Sequence, residues 1–285
     1  MDTDFEREQR WWDAKAAREE ADTADEAVNR TLRWREIDRR LDGVRTVLDV
    51  GGGTGAFSLP LTRRGFVVTH LDLSEAMLRL AREKAGDLDG LTLVHGNAAD
   101  LSCFGDQSFD LVLNLDGAIS FCGARAEQAL RETCRVARQR VIVAVAHRAW
   151  MVPITVSGSL KSTGRLLPAV ETMARTGSWH QDQFPENSLL SRGCTQDYLG
   201  PLRAFLPTEL RLALEAEGFV VERCGGLGSL ANFCGPEALS VAQGDPILWE
   251  QFHDLCEQFD LELLPDGPGT RQRSGLLAVA TRPGS

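Results

Sequence analysis

The sequence lacks the features that would mark a membrane protein, a disulfide-stabilised protein or a metalloprotein. It contains no long uncharged apolar run, and its first residues, MDTDFEREQRWWDAK, hold no apolar signal core. The seven cysteines include no CxxC pair, which indicates reduced thiols rather than zinc ligands or a disulfide framework. We therefore predict a cytoplasmic protein with no membrane partner and no bound metal.

Positive charge is also scarce. The formal net charge is −10, and Lys and Arg are mostly interleaved with acids, as in REEADTADEAVNRTLRWREIDRR. Nucleic-acid binding draws most of its affinity from clustered Lys and Arg. The charge pattern therefore predicts a small-molecule substrate and no nucleic-acid partner. We expect the chain to act as a monomer or a homodimer.

From residue 44 onwards, short β-rich runs alternate with helical patterns. The predicted strands include RTVLDV, FVVTHLDL, LTLVHGNA, FDLVLNL, RVIVAVA, VVERC and GLLAVATR, and helical stretches such as SEAMLRLAREKA separate them. Such alternation is typical of an α/β protein whose sheet is covered by helices. We predict a doubly wound, mostly parallel, seven-stranded Rossmann-like sheet.

Two further segments accompany this sheet. Residues 1–43 have helical spacing and include the pair Trp11 and Trp12, but too little apolar surface for a domain of their own. We expect them to form a helical lid. Residues 44–285 are predicted to form one domain, with an irregular insertion at about 147–205, after the fifth strand, that contains the only tyrosine.

The glycine-rich stretch DVGGGTGA follows the first predicted strand. Gly51, Gly53 and Ala56 match the dinucleotide fingerprint, and Asp72 lies at the spacing expected of an acid that binds a ribose. Asp49 favours another ligand, because a carboxylate at this turn would oppose a pyrophosphate and attract a cation. S-adenosylmethionine (SAM) has no phosphate and carries an ammonium and a sulfonium.

LDVGGGTG resembles the first motif of the class I SAM-dependent methyltransferases, acid-x-Gly-x-Gly-x-Gly. The resemblance continues in HLDLSEAML, VHGNAADL and FDLVLNLDGAIS, and covers roughly residues 44 to 146. It implies SAM as the cofactor, methyl transfer as the activity, and residues 44–285 as the methyltransferase domain. The cofactor-binding residues that it implies are Asp49, Gly51, Gly53, Gly55, Asp72, Leu73, Asn97, Ala98, Asn114 and Leu115.

The resemblance also implies what these residues contact. Asp72 would hold the two ribose hydroxyls, and the backbone around Asn114 and Leu115 would face the methionine amino group. Asn97 stands where the family commonly has an acid that meets the adenine amine. An amide can still hydrogen-bond adenine.

The acceptor is expected in the crevice beyond the carboxyl ends of the strands, where the insertion and the lid supply aromatic side chains. Methyl transfer needs alignment, and a base when the nucleophile carries a proton. We predict His147, just past the fifth strand, and Tyr198 as catalytic residues, with His180 as a further candidate. A structural hydrogen bond is the alternative role for His147. Asp116 either binds a cationic acceptor or caps the next helix.

The predicted function is methyl transfer from SAM to an O, N or S atom of a small molecule, with specialised metabolism as the expected setting. Two alternatives stay open: a SAM enzyme of the same fold with other chemistry, such as aminobutyrate transfer or cyclisation, and a non-catalytic SAM-binding regulatory protein. Asp49 disfavours a nicotinamide oxidoreductase.

Overall fold

The computed structural model describes residues 3–16, 23–179, 201–269 and 275–284. The strands in these ranges are β1 (Thr46–Val50), β2 (Val67–Asp72), β3 (Leu91–His95), β4 (Phe109–Asn114), β5 (Ala137–Val145), β6 (Ser178–Trp179), β7 (Leu202–Arg203), β8 (Val220–Gly226) and β9 (Leu276–Thr281). Seven of them form the main sheet, in the order β3-β2-β1-β4-β5-β9-β8, while β6 and β7 pair separately.

The direction of the strands confirms the predicted mostly parallel sheet. Strands β1 to β5 pair in parallel, and β9 runs antiparallel to its neighbours β5 and β8. The strand order reverses between β1 and β4, and open α/β sheets bind ligands at such a reversal. The fold therefore places a crevice beyond the carboxyl ends of β1 and β4.

Helices cover both faces of the sheet. They are α1 (Thr3–Lys15), α2 (Ala24–Asp38), α3 (Ser58–Arg63), α4 (Glu75–Ala85), α5 (Ala118–Phe121), α6 (Ala126–Val136), α7 (Arg148–Thr163), α8 (Pro168–Thr176), α9 (Pro207–Ala216), α10 (Ser229–Gln243) and α11 (Pro246–Gln258). In the described part of the chain, no helix is both long enough and apolar enough to cross a membrane.

Successive residues of the central strands belong to two different apolar cores. On β1, Leu48 and Val50 join the cluster beneath α6 and α9, whereas Val47 joins the cluster beneath α2 and α3. This two-residue alternation follows from strand geometry, since neighbouring side chains point to opposite faces. Burial on both faces explains why these strands read as nearly continuous apolar runs.

The helical N-terminal segment consists of two helices with different surroundings. Helix α2 buries Val28, Leu32 and Ile37 against the domain, and its buried Glu36 accepts from Arg223 on β8. Helix α1 lies apart from this core and contacts α4 and α5 instead.

Candidate functional site

The turn after β1 depends on glycine for two physical reasons. Gly51 has a φ of +72°, and a Cβ there would lie 2.6 Å from the Cβ of Ala118. Gly53 has a φ of +57°, and a Cβ there would meet no atom within 4 Å. The first glycine therefore permits close packing against α5, while the second borders open space. Gly55 completes the turn, with its N–H donating to the carbonyl of Gly52 at 3.0 Å.

Asp72 ends β2 and holds the glycine turn through its carboxylate. One oxygen accepts the N–H of Gly53 at 2.8 Å, and the other accepts the N–H of Ser74 at 2.8 Å. Burial raises the pKa of Asp72, while the N–H groups of Ser74 and Gly53 oppose that rise. Each carboxylate oxygen keeps a lone pair for a further donor, such as a ribose hydroxyl.

Asp49 lies beneath the turn rather than in the open crevice. It is 1% exposed, and its carboxylate accepts the hydroxyl of Ser58 at 2.5 Å. Burial raises its pKa to about 7, partly offset by the hydrogen bonds of Ser58. The Asp49 carboxylate therefore has almost no surface open to the crevice, and its role in cofactor binding stays a prediction.

The predicted adenine neighbours lie together beyond β2 and β3. The side chain of Asn97 accepts the N–H of Ala99 at 2.8 Å, and the thiol of Cys122 lies 4.0 Å from the same oxygen. Ala98 is buried, and the carbonyl of Leu73 lies 2.8 Å from His95 Nε2. The Asn97 oxygen thus has an internal partner and a free lone pair for the adenine amine.

Asn114 and Leu115 lie at the end of β4, where the strand enters the crevice. The side chain of Asn114 is fully buried and its Nδ2 lies 3.5 Å from Thr133 Oγ1 on α6, away from the glycine turn. Leu115 is 1% exposed and packs into the core. The side chains of both residues are therefore buried, and the contact of their backbone with the methionine amino group stays a prediction.

Helix α1 spans the crevice from one wall to the other. Asp13 Oδ1 accepts the hydroxyl of Ser74 at 2.5 Å and the N–H of Ala76 at 3.0 Å, at the start of α4. At the other wall, Trp12 meets Phe121 of α5 edge to face, with ring centroids 5.1 Å apart. Because α4 follows β2 and α5 follows β4, α1 lies over the carboxyl end of β1 between them.

His147 follows β5 and caps α7. Its Nδ1 accepts the N–H of Ala149 at 3.0 Å, so the proton of the neutral ring is on Nε2. The residue is 2% exposed, and burial lowers its pKa to about 4. Nε2 has no hydrogen-bond partner among the described residues. The ring of His147 is therefore neutral at neutral pH, with Nε2–H as its donor. Its hydrogen bond to Ala149 is the structural hydrogen bond that was the alternative role.

The other acceptor-side predictions divide into two groups. Tyr198 and His180 lie outside the described residues. Asp116 does not cap α5, whose N-cap is Gly117, and its carboxylate pairs with Arg33 of α2 at 2.5 Å. Its binding of a cationic acceptor stays a prediction. The insertion itself is joined to the domain by Arg148, which makes two bonds of 2.6 Å to the carboxylate of Glu209.

Comparison with known families agrees with the methyltransferase resemblance of the sequence motifs. A family model described as a methyltransferase domain matches residues 48–145, from β1 through β5. Residues 48–145 belong to a methyltransferase domain. This match supports S-adenosylmethionine as the cofactor.

Two curated relatives of the methyltransferase domain have related names. The chain is 32% identical over 149 residues to the magnesium protoporphyrin IX methyltransferase of Arabidopsis thaliana, covering 52% of this chain and 46% of the relative. It is 30% identical over 155 residues to the magnesium-protoporphyrin O-methyltransferase of Synechocystis, covering 53% of this chain and 63% of the relative. The chain therefore spans less than two thirds of either relative.

A solved structure shows that the fold extends beyond the matched region. The SAM-dependent methyltransferase of Methanosarcina mazei superposes with a TM-score of 0.54 at 18% identity, covering 86% of this chain and 96% of that one. At this identity the likeness concerns the fold alone.

The described residues of the methyltransferase domain fit SAM in two respects. Open space borders Gly53 on the side where a Cβ would point, which leaves room for a ligand against the backbone. Asp72 offers two lone pairs beside that space for the ribose diol. When bound, SAM supplies a methyl group made electrophilic by its sulfonium.

Sequence reasoning missed three residues of this site: Ser58, His70 and Asp13. His70 is a polar residue inside the apolar strand FVVTHLDL, and that anomaly was the available signal. Ser58 and Asp13 gave no such signal, because a serine or an aspartate at a helical position is usually solvated.

Proposed function

We propose that this chain transfers the methyl group of SAM to a small-molecule acceptor. The observation that carries the proposal is the arrangement of Asp72, which binds the N–H groups of Gly53 and Ser74 under a helix that spans the crevice. Methyl transfer is an in-line displacement that depends mainly on alignment and exclusion of water. The hydrogen-bonded glycine turn supports alignment, and the helix over the crevice supports exclusion of water.

The acceptor is proposed to bind on the β4 and β5 side of the crevice. Trp12 and Phe121 provide an aromatic wall there, and Phe121 also packs against the apolar cluster that contains Trp179, Met151 and Met173. These surroundings favour an acceptor with an apolar body. The relatives' names, which include magnesium protoporphyrin and, for Thermobifida fusca, demethylmenaquinone, support a small molecule as the class.

His147 is proposed to contact the acceptor as a hydrogen-bond donor. Its Nδ1 accepts the N–H of Ala149, and its buried Nε2–H is left without a partner among the described residues. A neutral donor orients an oxygen or nitrogen of the acceptor and does not remove its proton. Tyr198 stays proposed as a second acceptor contact. The absence of a nucleic-acid partner is proposed on the acidic composition. The cytoplasmic location and the monomeric or homodimeric state stay predictions.

Product analysis tests this function. Purified chain is incubated with SAM and a panel of small acceptors, and the nucleoside products are separated by chromatography. We expect S-adenosylhomocysteine to form in an acceptor-dependent way, and we expect the Asp72→Ala variant to form little. Methylthioadenosine as the main product would contradict methyl transfer and favour attack on the aminobutyrate chain. Absence of any turnover with bound SAM would favour a non-catalytic protein.

A further inference from the structure

Three buried polar side chains form a continuous chain beneath the glycine turn. Asp49 comes from β1, Ser58 from the start of α3 and His70 from β2, and they are 1%, 0% and 0% exposed. Ser58 Oγ donates to Asp49 Oδ2 at 2.5 Å and lies 2.7 Å from His70 Nδ1. Strand register brings the ends together, since Asp49 and His70 are direct partners across β1 and β2.

The backbone of the glycine turn at Gly52 packs directly against the side chains of His70 and Asp49. A Cβ at Gly52 would lie 2.5 Å from His70 Nδ1 and 2.8 Å from Asp49 Oδ2, distances too short for any side chain. The imidazole and the carboxylate therefore fill the space under Gly52. Any movement of either group is transmitted to the turn that the cofactor contacts.

The hydrogen bonds of the chain have a defined direction. When Asp49 is ionised, the single Ser58 proton goes to the carboxylate, so the serine oxygen accepts from His70 Nδ1–H. When Asp49 is protonated, both bonds reverse and the imidazole proton moves to Nε2. Nε2 of His70 has no partner among the described residues in either state. The hydrogen bond that Ser58 donates stabilises the ionised form of Asp49, whereas burial of the carboxylate favours the protonated form.

We propose that Ser58 and His70 are positioning residues for the cofactor's aminoacyl half: they hold Asp49 as an oriented anion beneath the glycine turn, where its charge attracts the methionyl ammonium. This inference rests on the proposed function. It assigns the adenosyl half of the cofactor to Asp72, whose carboxylate accepts from the N–H groups of Gly53 and Ser74. The two halves of the ligand should thus respond differently to changes in Ser58 and His70.

The surroundings of Asp49, Ser58 and His70 place the titration of Asp49 near neutral pH. Burial raises the pKa of Asp49 to about 7; the bonds from Ser58 oppose that rise, and Asp116, whose own partner is Arg33, adds to it. Burial lowers the pKa of His70, and the neighbouring charge of Asp72 opposes that change. Loss of the Ser58 hydroxyl removes a bond to the ionised carboxylate and leaves Asp49 protonated to higher pH.

Calorimetry of the full chain with two ligands tests the inference. S-adenosylhomocysteine carries the ammonium, whereas methylthioadenosine has the adenosyl half and no aminoacyl group. Between pH 7.5 and 5.5 we expect the parent's affinity for S-adenosylhomocysteine to fall by roughly tenfold, since a protonated Asp49 no longer attracts the ammonium. Affinity for methylthioadenosine should stay constant over this range.

Three variants separate positioning from a general structural effect. Ser58→Ala should weaken S-adenosylhomocysteine binding at pH 7.5 by about tenfold, and His70→Leu by less, with methylthioadenosine binding unchanged in both. His70→Asn keeps a polar atom near the Nδ1 position and should restore parental binding. Thermal unfolding and the methylthioadenosine titration serve as controls for the fold.

Distinct results would overturn the inference and the proposed function. The inference fails if the parent's S-adenosylhomocysteine affinity is independent of pH, if Ser58→Ala and His70→Leu bind it like the parent, or if they lose both ligands equally. If the parent binds neither ligand at any pH, the cofactor assignment and the proposed function fail, and the inference fails with them.

Discussion

The two sides of the crevice are held together by different kinds of interaction. On the cofactor side, a carboxylate binds backbone N–H groups of the same β1-α3-β2 unit, as Asp72 does with Gly53 and with Ser74 just after β2. On the acceptor side, side chains pair across long separations, as Arg148 does with Glu209, 61 residues away. The first side depends on backbone geometry, which a substitution either permits or forbids. The second depends on tertiary contacts, so single changes there should have graded effects.

The largest effect is expected at the glycine turn. Gly53→Val should abolish measurable cofactor binding, because valine disfavours the φ of +57° and fills the open space beside the turn. Gly65→Val is the matched control: Gly65 also has a positive φ, +92°, and no neighbour within 4 Å, but it follows α3. Calorimetry should show normal S-adenosylhomocysteine binding by the control at a temperature where both variants are folded. Equal binding by both variants would place the cofactor elsewhere.

The next largest effect concerns the carboxylate that ends β2. Asp72→Ala should weaken S-adenosylhomocysteine binding by about tenfold to a hundredfold, because the ribose diol loses its acceptor and the turn loses a bond. Asp110 is the control, since it also accepts two backbone N–H groups, from Arg45 and Thr46, but lies at the amino end of the sheet. Asp110→Ala should lower the melting temperature and spare binding. A loss of binding in both variants would mean that the effect comes from general destabilisation.

The same difference between the two sides of the crevice explains which site residues could be predicted from the sequence. The glycine turn and Asp72 could be predicted because they follow or end adjacent strands of one β1-α3-β2 unit and match a motif with a fixed spacing. Ser58 and Asp13 could not, since each acts only through a partner on another element, Asp49 or Ser74, that strand register or helix docking brings close. The predicted insertion contains α7 and α8, whose positions depend on Arg148 and not on any motif.

The two sides should also give opposite pH dependences of stability. The folded-state pKa of Asp49 is about 7, above its ordinary 3.8, so the folded state holds a proton that the unfolded state has released, and stability falls as pH rises through this window. The folded-state pKa of His147 is about 4, below its ordinary 6.5, so stability falls as pH drops through that window.

Denaturant unfolding of the ligand-free protein from pH 4.5 to 8 measures the contributions of Asp49 and His147 to the free energy of unfolding. Each contribution should be on the order of 2–4 kcal/mol. Because the two windows overlap, the two contributions oppose each other in the parent. Asp49→Asn should leave a stability that falls as pH drops, and His147→Asn one that falls as pH rises, the asparagine at 147 still capping α7. A variant that keeps the parent's pH profile would show that its residue is not the titrating group.

The smallest effect is expected for α1. Asp13→Ala removes the acceptor for Ser74 and Ala76 and should let α1 separate from α4, with little change in melting temperature. In the parent, S-adenosylhomocysteine should protect the chain from tryptic cleavage after Lys15 by several-fold, and Asp13→Ala should lose that protection. Arg10→Ala, an exposed position on the same helix, is the control. Cleavage that ignores the ligand in the parent would contradict the role of α1 as a lid.

Calorimetry of the purified parent chain against S-adenosylhomocysteine and NAD tests the central claim most directly. The buried carboxylate of Asp49 beneath the glycine turn favours a ligand with an ammonium over one with a pyrophosphate. We expect S-adenosylhomocysteine to bind with an affinity of micromolar order and NAD to give no heat of binding. Binding of NAD without binding of S-adenosylhomocysteine would mean that the glycine turn holds a dinucleotide and not SAM.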